Sequence, residues 1–377
     1  MKFKISSGGL KEAAKEAVRV IDNRVAIPVL TSVVICQEDK EIYLLAGDGE
    51  CQYRVSAGAA LECEGVTDGR LFCLNGSTLK DALASLSEQP ITVEYDDGKA
   101  TIAYANGTME MPADRAEEYP VMKEVEDGYR HAIFTDLLQR CYAKASVAAD
   151  VKNQVRPVMG CVNIVIRQDG GADIVASDGH KLVRCTLGAD RLTTDMAAGD
   201  GVLLPPKTGI FMDGRTGRIS IRTDGRTARL ASMGTGRAFT TRLVESKYPD
   251  YERVIPEDFA YEAVLDTRAL MAALRRVTPF ANDSSRLVEL TFREGTLTLR
   301  AEDRDFDREA KETLPYEGGI PGLRIGFKGT ALMEMLQITE TESVRMRMSD
   351  PSKAAVLEPV GQSDYRLTLL LMPMILY

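Results

Sequence analysis

The order helix, hairpin, helix, hairpin recurs three times along this chain of 377 residues. An internal repeat of that length constrains the fold more than any short motif does, because each copy must be a structural unit of its own. The first helix of each copy carries apolar residues at helical spacing. They are Leu10, Ala13, Ala14, Ala17, Val18 and Ile21, then Leu138, Cys141, Tyr142 and Ala145, then Leu270, Ala273, Leu274 and Val277. Asp266 stands where the third of these helices needs an N-cap. A hairpin of alternating apolar and polar residues follows each helix, turning at Glu38-Asp39, at Asp169-Gly170-Gly171 and at Glu294-Gly295. Its second strand ends on Ala46-Gly47-Asp48, Ala176-Ser177-Asp178 and Ala301-Glu302-Asp303. One Ala-x-Asp is a weak signal, but three after equivalent hairpins are not.

Leu79, Ala82, Leu83 and Leu86 predict a second helix in copy one, and Leu332, Met335 and Leu336 predict it in copy three. In copy two, Pro205-Pro206-Lys207-Thr208-Gly209 leaves that helix open. The closing hairpins turn at Asp97-Gly98, Asp224-Gly225 and Asp350-Pro351. Acidic stretches with Gly or Pro, Glu124–Tyr129 and Pro256–Phe259, put domain boundaries at 1–125, 126–254 and 255–377. The fold class is α+β, three repeated domains each with two helices packed on antiparallel sheets. Unpaired edge strands at the ends of a unit invite the next unit, head to tail. A heterologous arrangement of this kind closes into a ring if the rotation permits, and two chains supply six units.

A hydrophobic content of 44% suffices for two or three packed cores. The net charge of -9 excludes a protein that grips nucleic acid over its whole surface. Basic residues nevertheless gather on the helices: Lys11, Lys15, Arg19 and Lys80, then Arg140, Lys144 and Lys207, then Arg268, Arg275 and Arg276. Positive charge collected on one side would meet phosphates without reading bases, while an acidic exterior resists ordinary binding. No apolar run reaches the length of a bilayer span. Met1–Ile5 alternates like a strand and has no signal-peptide character, so the expected location is cytoplasmic. Seven cysteines without a Cys-x-x-Cys pair, and two histidines, argue against a disulfide framework or a metal site, and most of the cysteines read as small buried apolar residues.

The chain offers little catalytic chemistry. Asp178 and His180 could form an acid–base pair, yet Asp178-Gly179-His180 reads equally well as a turn, and no Gly-x-Ser-x-Gly accompanies it. Asp303, Asp305 and Asp307 start like a calcium loop, but Arg308 occupies the glycine position and Leu314 the closing glutamate. Gly234-Thr235-Gly236 lacks the third glycine of a nucleotide fingerprint.

Four stretches, spread in order along the triplicated chain, carry a resemblance. They are Asn23–Leu30, Ala176-Ser177-Asp178-Gly179-His180-Lys181-Leu182, Leu243–Pro256 and Met372-Pro373-Met374. They resemble the bacterial DNA polymerase III β subunit family, the sliding clamps. The resemblance implies a non-enzymatic processivity factor without cofactor or metal, a head-to-tail homodimer that encircles double-stranded DNA regardless of sequence. Its implied partners are the polymerase III catalytic subunit, the clamp loader and other proteins bearing clamp-binding motifs, with no membrane.

Carried over by motif, the implied peptide pocket holds Val158, Ser177, Gly179, His180, Leu182, Pro249, Arg253, Val254, Leu370, Met372, Pro373 and Met374. The implied DNA-facing residues are Arg24 and the loop Asp150–Arg156 with Lys152, Gln154 and Arg156, joined by Lys80, Arg140, Lys144 and Lys207 from the helices. The implied dimer interface sets Met109 and Met111 against Phe280. The chain departs from the family at Ile375-Leu376-Tyr377, at Phe327-Lys328-Gly329-Thr330-Ala331 and at Arg156-Pro157. A repeat-built peptide scaffold that never encloses DNA is the alternative reading.

Overall fold

The computed structural model describes the chain apart from residues 23, 25–26, 124, 126–129, 154, 213–216, 362–363 and 377. Helices α1 (Ser7–Ala17), α2 (Gly76–Ala84), α3 (Leu137–Ser146), α4 (Thr267–Val277) and α5 (Gly329–Gln337) sit where the apolar stripes predict them. Side-chain oxygens start three of them. Ser6 accepts from the Gly9 N–H at 3.2 Å, Asn75 from Thr78 at 3.0 Å and Asp266 from Ala269 at 2.6 Å. The stripe of α1 overreaches, since the α-helix stops at Ala17 and Val18–Val20 continues as a 3₁₀ turn. The second helix of copy two is only a 3₁₀ turn, Pro206–Ile210, as two prolines and a glycine within five residues dictate. Gly329 opens α5 because a Cβ there would lie 2.5 Å from Thr278 Oγ1.

The strands form antiparallel sheets of 14, 8 and 4 strands. The predicted hairpins are present, as Ser32–Glu38 with Glu41–Gly47, Val162–Ile166 with Ala172–Ser177, and Leu287–Arg293 with Thr296–Asp303. Asp39 and Lys40 turn with φ of 49° and 67°, and Glu294 and Gly295 with 39° and 79°, the double positive φ that tight hairpins need.

The chain forms two compact units, residues 1–139 with 193–196 and 207–243, and residues 140–192 with 197–206 and 244–377. They cut across the second repeat because the sheets run on from repeat to repeat. In the first unit, Cys51–Ala59 pairs with Ala238–Arg242, placing Gln52 opposite Thr240. In the second, Lys181–Leu187 pairs with Arg366–Leu371, placing Leu182 opposite Leu370. These two pairings are called the first and second seam below.

The seven cysteines are all free. Five are buried, Cys36 is partly so, and Cys63 is exposed. Among the described residues no group of three or more His, Cys, Asp or Glu could hold a metal ion, and no helix is long and apolar enough to cross a membrane.

Candidate peptide pocket and DNA-facing residues

The second seam assembles the pocket residues from three parts of the chain. The turn after Ala172–Ser177 comes first. Asp178 Oδ1 accepts the N–H groups of His180 and Lys181, both at 2.8 Å. Ser177 Oγ donates to the Lys181 carbonyl at 2.9 Å and accepts from Gly179 at 3.1 Å. Gly179 has φ +89°, which glycine adopts without strain. The Asp178 carboxylate is therefore engaged by backbone N–H groups, and the acid–base pairing with His180 is not built.

The C-terminal tail comes second. Beyond the paired strands, the Met372 N–H donates to the His180 carbonyl at 2.8 Å, and the Met374 N–H donates to the Gly326 carbonyl at 2.8 Å. The tail is held at two points while the Met372 side chain stays 39% exposed. Pro373 and Met374 are half-buried and His180 is exposed. The Lys181 ammonium is paired with Glu334 of α5.

The connector 244–256 comes third. Val175, Leu182, Ala354 and Leu370 form one buried apolar cluster, on which Tyr248, Tyr251 and Ile255 pack. Tyr248 also packs on a second cluster, Val158, Met159, Cys161 and Leu203. Val158 is thus joined to Leu182 and Leu370 through one tyrosine. Tyr251 Oη donates to the buried Asp173 carboxylate at 3.1 Å, and burial pushes the phenols of Tyr248 and Tyr251 up. Val254, one residue from Ile255, is left 53% exposed. Large apolar side chains beside a buried leucine pair are what an incoming apolar side chain can cover. Pro249 and Arg253 are exposed on the same connector, and Arg253 Nε lies 2.8 Å from Asp250. Pro249 also lines a neighbouring cleft of about 810 Å³ with Asp173 and Arg184. Tyr248, Tyr251, Ile255, Val175 and Ala354 pack with the candidate pocket residues Val158, Leu182 and Leu370 and are absent from the motif-based set. Tyr248, Tyr251 and Ile255 lie within the stretch Leu243–Pro256, whereas Val175 and Ala354 carry no motif.

The basic residues have more varied settings than helical periodicity implies. In the first unit, Arg24 is exposed and forks onto Asp22, with both nitrogen–oxygen distances 3.0 Å. The guanidinium holds the Asp22 carboxyl down at about 2. Lys207 is paired with Asp48, whose carboxylate also accepts from Glu50 and Cys51 at 2.9 Å. Lys80 lies 3.5 Å from Asp81. Lys11 turns inward, its ammonium on the carbonyls of Ala84 and Leu86 at the end of α2. In the second unit, Arg140 is half-exposed, 3.6 Å from both Glu340 and Asp364.

Lys144 corrects the reading of a uniformly outward basic face. It is only 4% exposed, its ammonium bound to the Ile338 carbonyl and 3.0 Å from Glu340. It caps the C-terminus of α5, where a cation meets the negative end of the helix. Lys152 and Arg156 are exposed, and Gln154 lies outside the described residues. Of the interface residues, Phe280 is 41% exposed and Met109 half-buried. Met111 is only 5% exposed within the single chain, so it belongs to the core and offers no surface to a partner.

Residues 1–123 match the family model of the DNA polymerase III beta subunit, N-terminal domain. Residues 252–375 match that of the C-terminal domain. The beta sliding clamp of Pseudomonas putida is 26% identical over 374 residues, covering 97% of each chain. That of Micrococcus luteus is 28% identical over 327 residues, covering 84% of this chain and 99% of its own. The crystal structure of a Pseudomonas aeruginosa sliding clamp bound to griselimycin superposes with a TM-score of 0.91 at 24% identity, covering 100% of both chains, and so shares the fold. A triplicated chain, two seams and two matching family models converge: this protein belongs to the DNA polymerase III beta subunit family, the beta sliding clamps, and is a processivity factor rather than an enzyme.

Proposed function

We propose that two copies of this chain, each of three domains bounded near residues 125 and 254, join head to tail into a ring around duplex DNA. The observation that carries this reading is a pair of open strand edges. Gly107–Arg115 pairs with Lys99–Tyr104 over residues 107–112 but with Gly69–Asn75 only at 113–115, leaving one edge of 107–112 without a strand among the described residues. Arg308–Pro315 is the terminal strand of the four-stranded sheet. Open edges of this kind take up a strand from a second copy, with Met109 and Phe280 beside the join.

The second-seam pocket then receives extended peptides of the polymerase III catalytic subunit, the clamp loader and other proteins with clamp-binding motifs. Apolar side chains of the peptide settle on Leu182, Leu370 and Met372, and methionine repacks readily for differing partners. The working location is the cytoplasm. The test is retention on DNA. Protein loaded onto a nicked circle should stay bound through a high-salt wash and leave when the circle is linearised, and its solution mass should be near twice 41.3 kDa on dilution. A monomer at every concentration, or equal loss from circles and linear DNA, would favour the peptide scaffold that never encloses DNA.

The carboxylates beside Arg24 and Lys207 keep the grip on phosphate weak, which suits a ring that slides. Asp22→Asn frees the Arg24 guanidinium. Retention on DNA at low salt should rise, and the slope of log affinity against log salt should steepen by about 0.9, one phosphate contact. An unchanged slope would show that Arg24 does not reach the backbone.

A further inference from the structure

The first seam repeats the architecture of the second with different chemistry on its floor. The Asp48 turn accepts two backbone N–H groups as the Asp178 turn does. A 3₁₀ turn, Pro28–Thr31, stands where Pro157–Gly160 stands. Tyr119-Pro120-Val121-Met122 corresponds to Tyr248-Pro249-Asp250-Tyr251, and Tyr119 packs on Leu30, Val34 and Leu45 as Tyr248 packs on its own cluster. Counting from Ala46 and Ala176, Gln52 takes the place of Leu182, and its partner Thr240 that of Leu370.

Above this polar floor lies a cleft of about 470 Å³, lined by Leu45, Ala238 and Val121 on the apolar side, by Gln52, Arg70 and Arg229 on the polar side, and by two carboxylates, Glu38, paired with Arg54, and Asp68, which accepts from Gln37 Nε2 at 3.4 Å. Gln52 Oε1 accepts the Met122 N–H at 2.9 Å, which leaves the side-chain amide nitrogen as a donor. Arg70 donates to the carbonyls of Ala116 and Tyr119 at 3.2 and 3.0 Å and has no carboxylate partner among the described residues. Arg229 is held by its backbone between the strands Ile219–Thr223 and Ala238–Arg242, beside Thr240, and its guanidinium has no hydrogen bond or ion pair among the described residues. The third arginine of the cleft, Arg54, is already paired with Glu38 and lies 3.8 Å over the Tyr43 ring.

We propose that the first seam is a second peptide-binding cleft, selective for an extended segment that carries an acidic side chain next to an apolar one. The carboxylate sits on Arg229, Arg70 and the Gln52 amide, and the apolar neighbour on Leu45, Ala238 and Val121. An inorganic anion would leave that apolar wall uncovered. The inference rests on the reading of the second seam as a peptide pocket, and the test separates the two.

The probe is a fluorescein-labelled hexapeptide of alternating glutamate and leucine, titrated by anisotropy against the full-length protein, with the glutamine–leucine hexapeptide as comparator. Arg229→Gln should weaken the glutamate probe roughly tenfold, the worth of one charged hydrogen bond, and leave the comparator unchanged. Removal of residues 372–377, at the other seam, should leave the glutamate probe bound. Salt gives a readout that needs no variant. The net charge of -9 repels an acidic probe, so general screening would strengthen binding, whereas a local arginine site makes it weaken. Absence of saturable binding, strengthening with salt, indifference to Arg229→Gln, or loss only on removal of the tail would each overturn the proposal. The last would place the probe in the second seam.

Discussion

Removing residues 372–377 is expected to lower the affinity for an apolar clamp-binding peptide by roughly a hundredfold or more, since Met372 and Met374, which the proposed pocket uses, are lost together with the rest of the tail. The tail is tied to the body by the hydrogen bonds from Met372 to His180 and from Met374 to Gly326. The strand Arg366–Leu371 and its buried Leu367, Leu369 and Leu370 remain. Two exposed-end hydrogen bonds cost about 1–2 kcal/mol, so the truncated chain should keep its fold and its solution mass. Binding by titration and mass by light scattering separate these effects. A peptide affinity that survives the truncation intact would move the pocket away from the second seam.

A second large effect is expected from Arg237→Leu, read as stability. Arg237 is buried at the first seam, with Nε 2.8 Å from Tyr53 Oη and 3.0 Å from Glu16 Oε2. The Tyr53 hydroxyl in turn donates to Glu16 at 3.1 Å, and burial pushes its phenol up. The guanidinium also lies 5.9 Å over the Phe211 ring, which packs with Tyr53 and Phe239. The network ties α1 to the seam. Leucine supplies apolar volume but strands the Glu16 carboxylate and the phenol without their cation. Breaking one side of a buried pair costs about 3–5 kcal/mol, and the denaturant midpoint should fall with little change in slope. A loss under about 1 kcal/mol would mean that packing alone holds this seam.

Both expectations concern seams, and seams are where reading along the chain is weakest. Hairpins and helix starts depend on neighbours a few residues apart, so Asp39, Gly295, Asp266 and the apolar stripes disclose them. The turn and the tail of the proposed pocket lie in local motifs, Asp178–Leu182 and Met372–Met374, and the sequence shows both. Val175, Ala354 and Tyr251 join it only because strands distant in sequence lie side by side. Lys144 shows the limit most clearly. Helical spacing puts it one turn from Arg140, on what an isolated helix would expose, and the end of α5 covers it. Lys11 is half-buried, its ammonium on the carbonyls at the end of α2, and Met111 is buried within the single chain.

The sequence by itself determined the recurring helix and hairpin order, the turns and caps, and the family, because each of these is written in residue type at fixed spacing. Only the tertiary structure decided which basic side chains point outward, which methionine is core, and that the first seam has a polar floor where the second has leucines. Those outcomes depend on which surface another part of the chain comes to cover, and burial by a distant segment leaves no period in the residues being buried.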